Sequence, residues 1–203
     1  MAIRTPRSQG SRPTHRLATA VMAAALMAGM AGMPASAQFG GGDTPDLITA
    51  IEERDFEGFK LALVNETRPT LRDTAGVPAL ILAVESRESF FVEALLEAGA
   101  RPDDRPRKRS DDRTALSRAA ALGEAGMVKA LLDAGADPDM PGTRGEAPLI
   151  TAAFLGHVDV ARILIEAEAD LEITEMTGRT ALEVARRNNQ VAIVRLLEAA
   201  GAY

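Results

Sequence analysis

The sequence predicts an all-α fold, a solenoid of about five helix-turn-helix repeats. The main observation is a period: an Ala in the centre of each first helix recurs after 33, 36, 33 and 33 residues. A Leu precedes each Ala by three residues, and a helix-ending Gly or Glu follows it by sixteen. In addition, only 3% of the 203 residues are aromatic and most apolar residues are small, which suits closely packed helices better than a large sheet. The repeated positions are Ala50, Ala83, Ala119, Ala152 and Ala185, with Leu47, Leu80, Leu116, Leu149 and Leu182 before them and Glu66, Gly99, Gly135, Glu168 and Gly201 after them.

The copy that shows the pattern most clearly spans residues 145–170. Pro148 lies in its first turn, where the missing N–H costs nothing. Gly156 and His157 separate this first helix from a second one that starts at Val158. A single helix pair of this kind cannot bury its apolar face, but stacked copies cover one another. The copies are therefore expected to pack as one continuous row.

The residues at these positions resemble ankyrin repeats. The matching residues are Ala147-Pro148-Leu149, Ala152-Ala153, Gly156-His157, Val160, Leu164 and Ala169-Asp170; then Thr114-Ala115-Leu116, Ala119-Ala120, Gly123, Val128, Leu131-Leu132 and Ala134-Gly135-Ala136-Asp137; then Gly178-Arg179-Thr180-Ala181-Leu182, Ala185, Val194, Leu196 and Gly201-Ala202; and, more sparsely, Leu80, Ala83, Leu95-Leu96, Ala98-Gly99-Ala100, Leu47 and Ala50. The resemblance implies an ankyrin-repeat domain over 43–203 with short β-hairpin loops between repeats. The repeats are expected near 43–72, 73–108, 109–141, 142–174 and 175–203.

Two local features of the repeats make specific predictions. Thr180 and Glu183 have the spacing of an N-terminal capping box. Each second helix is expected to end on a left-handed residue, usually Gly, but Glu168 stands there in the fourth repeat. A non-Gly residue held left-handed costs on the order of 1 kcal/mol. Replacing Glu168 by Gly is therefore predicted to stabilise the protein.

Residues 1–37 have the composition of a secretory signal peptide, with cleavage predicted after Ala37. Four Arg residues precede any acidic residue, and an uncharged apolar stretch of 17 residues runs from Leu17 to Met33. The sequence that follows fits the small-x-small rule for cleavage. The alternative is a membrane anchor, although a stretch rich in Ala and Gly is short for spanning at this length. Residues 38–42 are then a flexible lead-in.

The leader and the charge limit the location and the partners of the chain. An Arg-rich leader followed by an Ala/Met-rich core is typical of bacteria, so the mature chain is expected to be periplasmic or secreted, without stable membrane insertion. The chain has no Cys, which excludes disulfides and lipid attachment at a cysteine. Loss of the four leader Arg residues, and of no acid, lowers the formal charge from −6 to −10. This charge argues against non-specific nucleic-acid binding.

A basic loop interrupts the period between the second and third repeats. Three extra residues fall within 101–113, and the loop concentrates cations in an acidic chain. Two interpretations stay open: a binding finger for an acidic partner, or a solvated hairpin tip that is slightly longer than the others. The cations are Arg105, Arg107, Lys108, Arg109 and Arg113.

The sequence predicts no enzyme activity, no cofactor and no metal site. His157 is the only histidine after the leader, so a Cys/His zinc site cannot form and a Ser-His-Asp relay would have to use that residue. The resemblance places His157 at the turn between two helices, which implies a structural role. The acidic pairs at 103–104 and 111–112 lack the ligand spacing of an EF-hand, and no phosphate-binding loop or dinucleotide fingerprint is present.

The resemblance also implies where partners bind, because ankyrin repeats bind proteins on a concave face made of hairpin tips and the exposed sides of the first helices. Phe154 is the one aromatic residue in this row of first helices. Flanked by Arg144 and Arg187, it fits an apolar anchor in a polar rim; alternatively, it packs against the neighbouring repeat. The candidate partner-binding residues are Arg107, Lys108, Arg109, Arg113, Arg144, Phe154, Leu155, Met176, Arg179 and Arg187.

Two functions of different kinds follow. The first is a non-enzymatic adaptor, exported to the periplasm, that binds a protein partner through the concave face and hairpin tips. The alternative is a secreted effector or toxin-antitoxin component that acts on a foreign partner. An enzyme would need a catalytic constellation that the residues do not supply.

Overall fold

The computed structural model describes residues 46–65, 72–107, 114–142 and 145–202. All of them belong to one compact unit, Gly41–Tyr203. The predicted signal peptide (1–37) and lead-in (38–42) lie outside the described residues, as do 66–71, 108–113, 143–144 and 203.

The described residues form ten helices in five consecutive pairs, and none of them belongs to a β-strand. The predicted all-α solenoid of five repeats is thus confirmed. The helices are α1 Leu47–Glu52, α2 Phe56–Asn65, α3 Ala79–Glu85, α4 Ser89–Glu97, α5 Ala115–Leu122, α6 Ala125–Asp133, α7 Pro148–Leu155, α8 Val158–Glu166, α9 Ala181–Arg187 and α10 Val191–Ala199.

The sequence marks where several of these helices begin. Pro148 is the first residue of α7. At α9, Thr180 and Glu183 exchange the two hydrogen bonds of a capping box, as predicted. A second capping box at α5 joins Thr114 to Ser117, and both side chains are buried. These bonds satisfy backbone N–H groups that have no partner within the helix.

The repeated apolar residues form the core. The five Ala residues of the first helices are fully buried, and the Leu three residues before each is at most 3% exposed. The small Ala side chains let neighbouring first helices approach closely, while Leu95, Leu131, Leu164 and Leu197 of the second helices are completely buried. Burial of one Leu side chain is worth about 2 kcal/mol, so packing between repeats is the main stabilising contribution.

The repeats stack in sequence order. First helices pack on first helices, from α1 through α3, α5 and α7 to α9, and second helices pack in the same way from α4 through α6 and α8 to α10. A repeated hydrogen bond links the loops that follow the second helices: Asp103 accepts from the amide of Asp137, and Asp139 accepts from that of Asp170. Burial raises the pKa of the Asp103 carboxyl.

Two sets of left-handed residues give every repeat its shape. The first set, which we call the turn positions, lies between the two helices of a repeat and has φ values of 56° to 82°. The second set ends the second helices and includes Glu168 at φ 59°, so the predicted left-handed conformation of this Glu is confirmed. The turn positions are Arg54, Arg87, Gly123, Gly156 and Asn189.

The predicted β-hairpin loops are turns that add little β-structure. Asp73 donates to Val77, Gly142 to Glu146 and Glu175 to the carbonyl of Arg179, at 2.9, 2.9 and 3.0 Å. Single antiparallel bridges flank the first and third of these turns. The loops are too short to pair further, because each first helix begins directly after its turn.

Candidate functional site

A groove of about 330 Å³ lies between the fourth and fifth repeats. It is formed by α7 and α9, whose exposed sides belong to the predicted concave face, and by the turns that precede them. Its lining residues are Glu146, Ile150, Phe154, Glu175, Arg179, Val184, Arg187 and Asn188.

The apolar part of the groove comes from three side chains. Ile150 and Val184 are 3% and 5% exposed and form its floor. Phe154, one helical turn after Ile150, is 58% exposed. Most of the Phe154 ring surface is therefore not used in packing between repeats, although the ring borders the groove. Its transfer from water into a partner would release about 1–2 kcal/mol.

The hairpin side of the groove carries an ion pair whose two opposite charges offset each other. Arg179 Nε lies 2.9 Å from Glu175 Oε1. Glu175 also accepts hydrogen bonds from the hydroxyl and the amide of Thr177. These bonds stabilise the carboxylate, and those from Thr177, more than that from Arg179, lower the pKa of Glu175 to about 2. The 175–179 turn is thus held by its own side chains.

The helix-end side of the groove carries an uncompensated cation. Arg187, the last residue of α9, is exposed and has no ion-pair partner in the part of the chain that the structure describes. Its neighbour Asn188 is fixed, because its side-chain amide donates to the carbonyl of Val184 at 2.8 Å. Charge is therefore available to a partner at Arg187, whereas Arg179 is already paired.

The structure brings three of the sequence-predicted candidates together and separates the others. Phe154, Arg179 and Arg187 line the groove. Leu155 and Met176 are exposed, at 44% and 84%, but do not line it. Four other candidates lie outside the described residues: Lys108, Arg109, Arg113 and Arg144.

Arg107 and the described part of the basic loop connect the hairpins. The Arg107 amide donates to the carbonyl of Gly76 at 3.1 Å, and its side chain covers that glycine. Arg72 donates to the Arg105 carbonyl, and Arg105 donates onward to the Pro141 carbonyl at 2.9 Å. Up to residue 107, the loop thus serves contacts within the stack.

His157 lies at a contact between repeats. It is the N-cap of α8, and its Nε2 atom is 3.3 Å from the carbonyl oxygen of Ala121 in the third repeat. The ring lies against Gly123, which has no side chain to displace it. The only histidine after residue 37 is therefore engaged with backbone.

Ile150, Val184 and Glu175 line the groove but are not among the candidates predicted from the sequence. A periodic signal existed for the first two: Ile150 lies four residues before Phe154, and Val184 three before Arg187, so each pair shares a helix face. No comparable signal marks Glu175, because its place in the groove depends on how the fifth hairpin lies beside α7.

Two kinds of site are absent from the described residues. No group of three or more His, Asp or Glu side chains there could hold a metal ion. None of the helices formed by those residues has both the length and the hydropathy to cross a membrane. The described residues that line the groove offer a partner apolar, amide and charged side chains.

Comparison with known proteins identifies the class of this chain. The family described as "Ankyrin repeats (3 copies)" matches residues 47–142 and 124–203. The two matches overlap and together cover all ten helices, so the chain belongs to the ankyrin-repeat family. No curated protein matches the chain with significance. Ankyrin repeats generally mediate protein–protein interaction, which is the general function of this fold.

Proposed function

We propose that this protein is a non-enzymatic interaction module, exported to the periplasm, that binds a protein partner through its concave face and hairpin tips. The observation that carries the proposal is the groove between repeats four and five. It combines an apolar floor, a Phe154 side chain that is 58% exposed and Arg187, which has no ion-pair partner among the described residues. Aromatic and Arg side chains beside a pocket are the residues that most often dominate binding free energy.

The solenoid supports binding because its surface is formed before the partner arrives. The groove is lined by two helices, and its hairpin is fixed by the Glu175–Arg179 pair. Little conformational entropy is therefore lost in this protein on association, which lowers the cost of binding.

Export to the periplasm is supported by residues 1–37, with their Arg-rich start, apolar stretch and Ala-x-Ala end. The full chain with a C-terminal tag should be expressed in a bacterial host and recovered from periplasm and medium. We expect a periplasmic product whose first residue is Gln38. Recovery mainly from the medium would favour the effector alternative, and an uncleaved membrane-bound product would contradict export.

Binding is tested by capture from periplasmic extract with the exported protein, followed by mass spectrometry. Phe154→Ala should reduce the amount of bound partner about tenfold, a change of about 1.4 kcal/mol. The matched control is Val191→Ala on α10, because Val191 is 59% exposed but lies outside the groove. If both variants retain the same proteins as the wild type, the groove is not the binding site.

A further inference from the structure

The two ends of the groove differ in charge. Glu146 lies at the hairpin end, just before α7, and Arg187 lies at the helix end, with Phe154 beside it. The rise of the eight-residue α7 separates these ends by about 12 Å. The Glu175–Arg179 pair at the hairpin end neutralises itself. Within the described residues, one carboxylate, Glu146, remains for a partner at one end of the groove and one guanidinium, Arg187, at the other.

In the described part of the concave row, the cation left for a partner carboxylate lies in the fifth repeat. The first helices carry, at equivalent positions, Glu52, Glu85, Ala121, Phe154 and Arg187. Glu52 is exposed, and Glu85 lies 3.2 Å from Arg118, which neutralises that cation. In the described part of this row, the charge thus changes from acidic in the first repeats to cationic in the last.

We propose, on the basis of the binding function above, that the groove recognises a protein segment with a large apolar side chain between an acidic and a basic residue. The apolar side chain contacts Phe154 and the floor, the carboxylate pairs with Arg187, and the cation pairs with Glu146. An extended chain rises about 3.3 Å per residue. The acidic and basic residues of the segment are therefore three or four positions apart.

The physical reason for proposing a segment of this kind is that its charges are complementary to Glu146 and Arg187 at short range. Charges several Debye lengths apart are screened, since the screening length is about 8 Å at physiological ionic strength. The overall negative charge of the protein consequently does not decide which ion sits at Arg187. A segment with acids at both ends would meet Glu146 unfavourably, and one with bases at both ends would meet Arg187 unfavourably.

The test uses displayed random 12-residue peptides, selected on the exported wild-type protein. We expect enriched peptides to carry an apolar residue with an acid and a base three or four positions apart. For one such peptide, Arg187→Glu should weaken binding about tenfold. Exchanging the acid of that peptide for Lys should restore binding to Arg187→Glu, whereas Arg195→Glu on α10 is the control that leaves the original peptide bound. Thermal unfolding of each variant checks that the fold is intact.

Three outcomes contradict the inference in distinguishable ways. Peptides that need Phe154 but show no preference for an acid, or bind Arg187→Glu equally well, overturn the charge rule and leave the binding function in place. Peptides that carry acids on both sides overturn the role of Glu146. If no selected peptide needs Phe154, recognition of a linear segment is wrong, and the capture experiment then decides the proposed function by itself.

Discussion

The contacts between neighbouring turn positions are made differently in the two halves of the solenoid. In the N-terminal half, Arg54 and Arg87 reach forward to Glu88 and Glu124 of the next repeat, at 3.4 and 2.7 Å. Each Arg also donates to a carbonyl at the end of the next first helix. In the third and fourth repeats, the turn positions are glycines, and the next repeat reaches back instead. There His157 covers Gly123, and Gln190 covers Gly156.

The comparison shows that the residue at a turn position is matched to the residue of the next repeat that contacts it. A turn-position Arg is contacted by a Glu of the next repeat, whereas a turn-position Gly is contacted by a His or a Gln. Holding Arg left-handed costs about 1 kcal/mol, and an exposed ion pair returns about 0–1 kcal/mol. Gly avoids that strain and leaves room for the neighbour. The Arg and the Gly arrangements therefore join neighbouring repeats with a similar net contribution to the free energy of unfolding.

The largest effect is expected at a glycine contact. Gly123→Ala should destabilise the protein by about 2 kcal/mol, because alanine is strained at φ 74° and its Cβ would lie 2.8 Å from the His157 ring. Chemical denaturation measures the loss. The matched control is Gly135→Ala, also left-handed at φ 91° but with nothing within 4 Å of the added Cβ, which should cost only about 1 kcal/mol. Equal losses would show that His157 makes no close contact at Gly123.

Strain at a left-handed residue can be measured separately at Glu168, which ends a second helix and lies outside these contacts. Glu168→Gly should raise the free energy of unfolding by about 0.5–1 kcal/mol, since glycine adopts φ 59° without strain. Glu166→Gly, at the end of α8, is the control and should instead lower it by about 0.5 kcal/mol. A lower melting temperature for Glu168→Gly contradicts the strain argument.

A smaller effect is expected when an Arg contact is converted. Arg87→Gly together with Glu124→His reproduces the residues of the Gly123–His157 contact, and stability should change by less than about 1 kcal/mol. Part of the wild-type contact is an exposed ion pair, so the difference between the two proteins should shrink at high salt. Chemical denaturation of both proteins in low and high NaCl measures this difference in stability. A loss of several kcal/mol would mean that the two arrangements are not interchangeable.

The smallest effect is the pH dependence of stability that arises from two carboxyl groups in the hairpins and loops. Glu175 has its pKa lowered from an ordinary 4.5 to about 2, so its contribution to stability is present above about pH 4.5 and is lost as the pH falls towards 2. Asp103, whose pKa burial raises, has the opposite effect: its contribution is lost as the pH rises through its native pKa. Carboxyl titration by NMR tests both directions, and Thr177→Val should raise the pKa of Glu175. An unchanged Glu175 titration in that variant would exclude Thr177 as the cause.

Most of the fold could be predicted because its signals are local and repeated. The Leu and Ala positions, the capping box at Thr180 and the left-handed Glu168 depend on spacing within one repeat. The predicted site was less complete. Phe154 and Arg187 could be found from their position on the first helices, but the floor residues were recognisable only by their spacing from those two, and Glu175 not at all.

The sequence by itself determined the period, the helix pairs, the buried Ala and Leu rows and the family. Tertiary structure alone decided that Arg107 covers Gly76 and that turn positions are joined in two ways. The physical reason is the distance along the chain. Bonds within a turn or helix join residues a few positions apart, whereas contacts between repeats join residues more than 30 positions apart and exist only once the repeats have stacked.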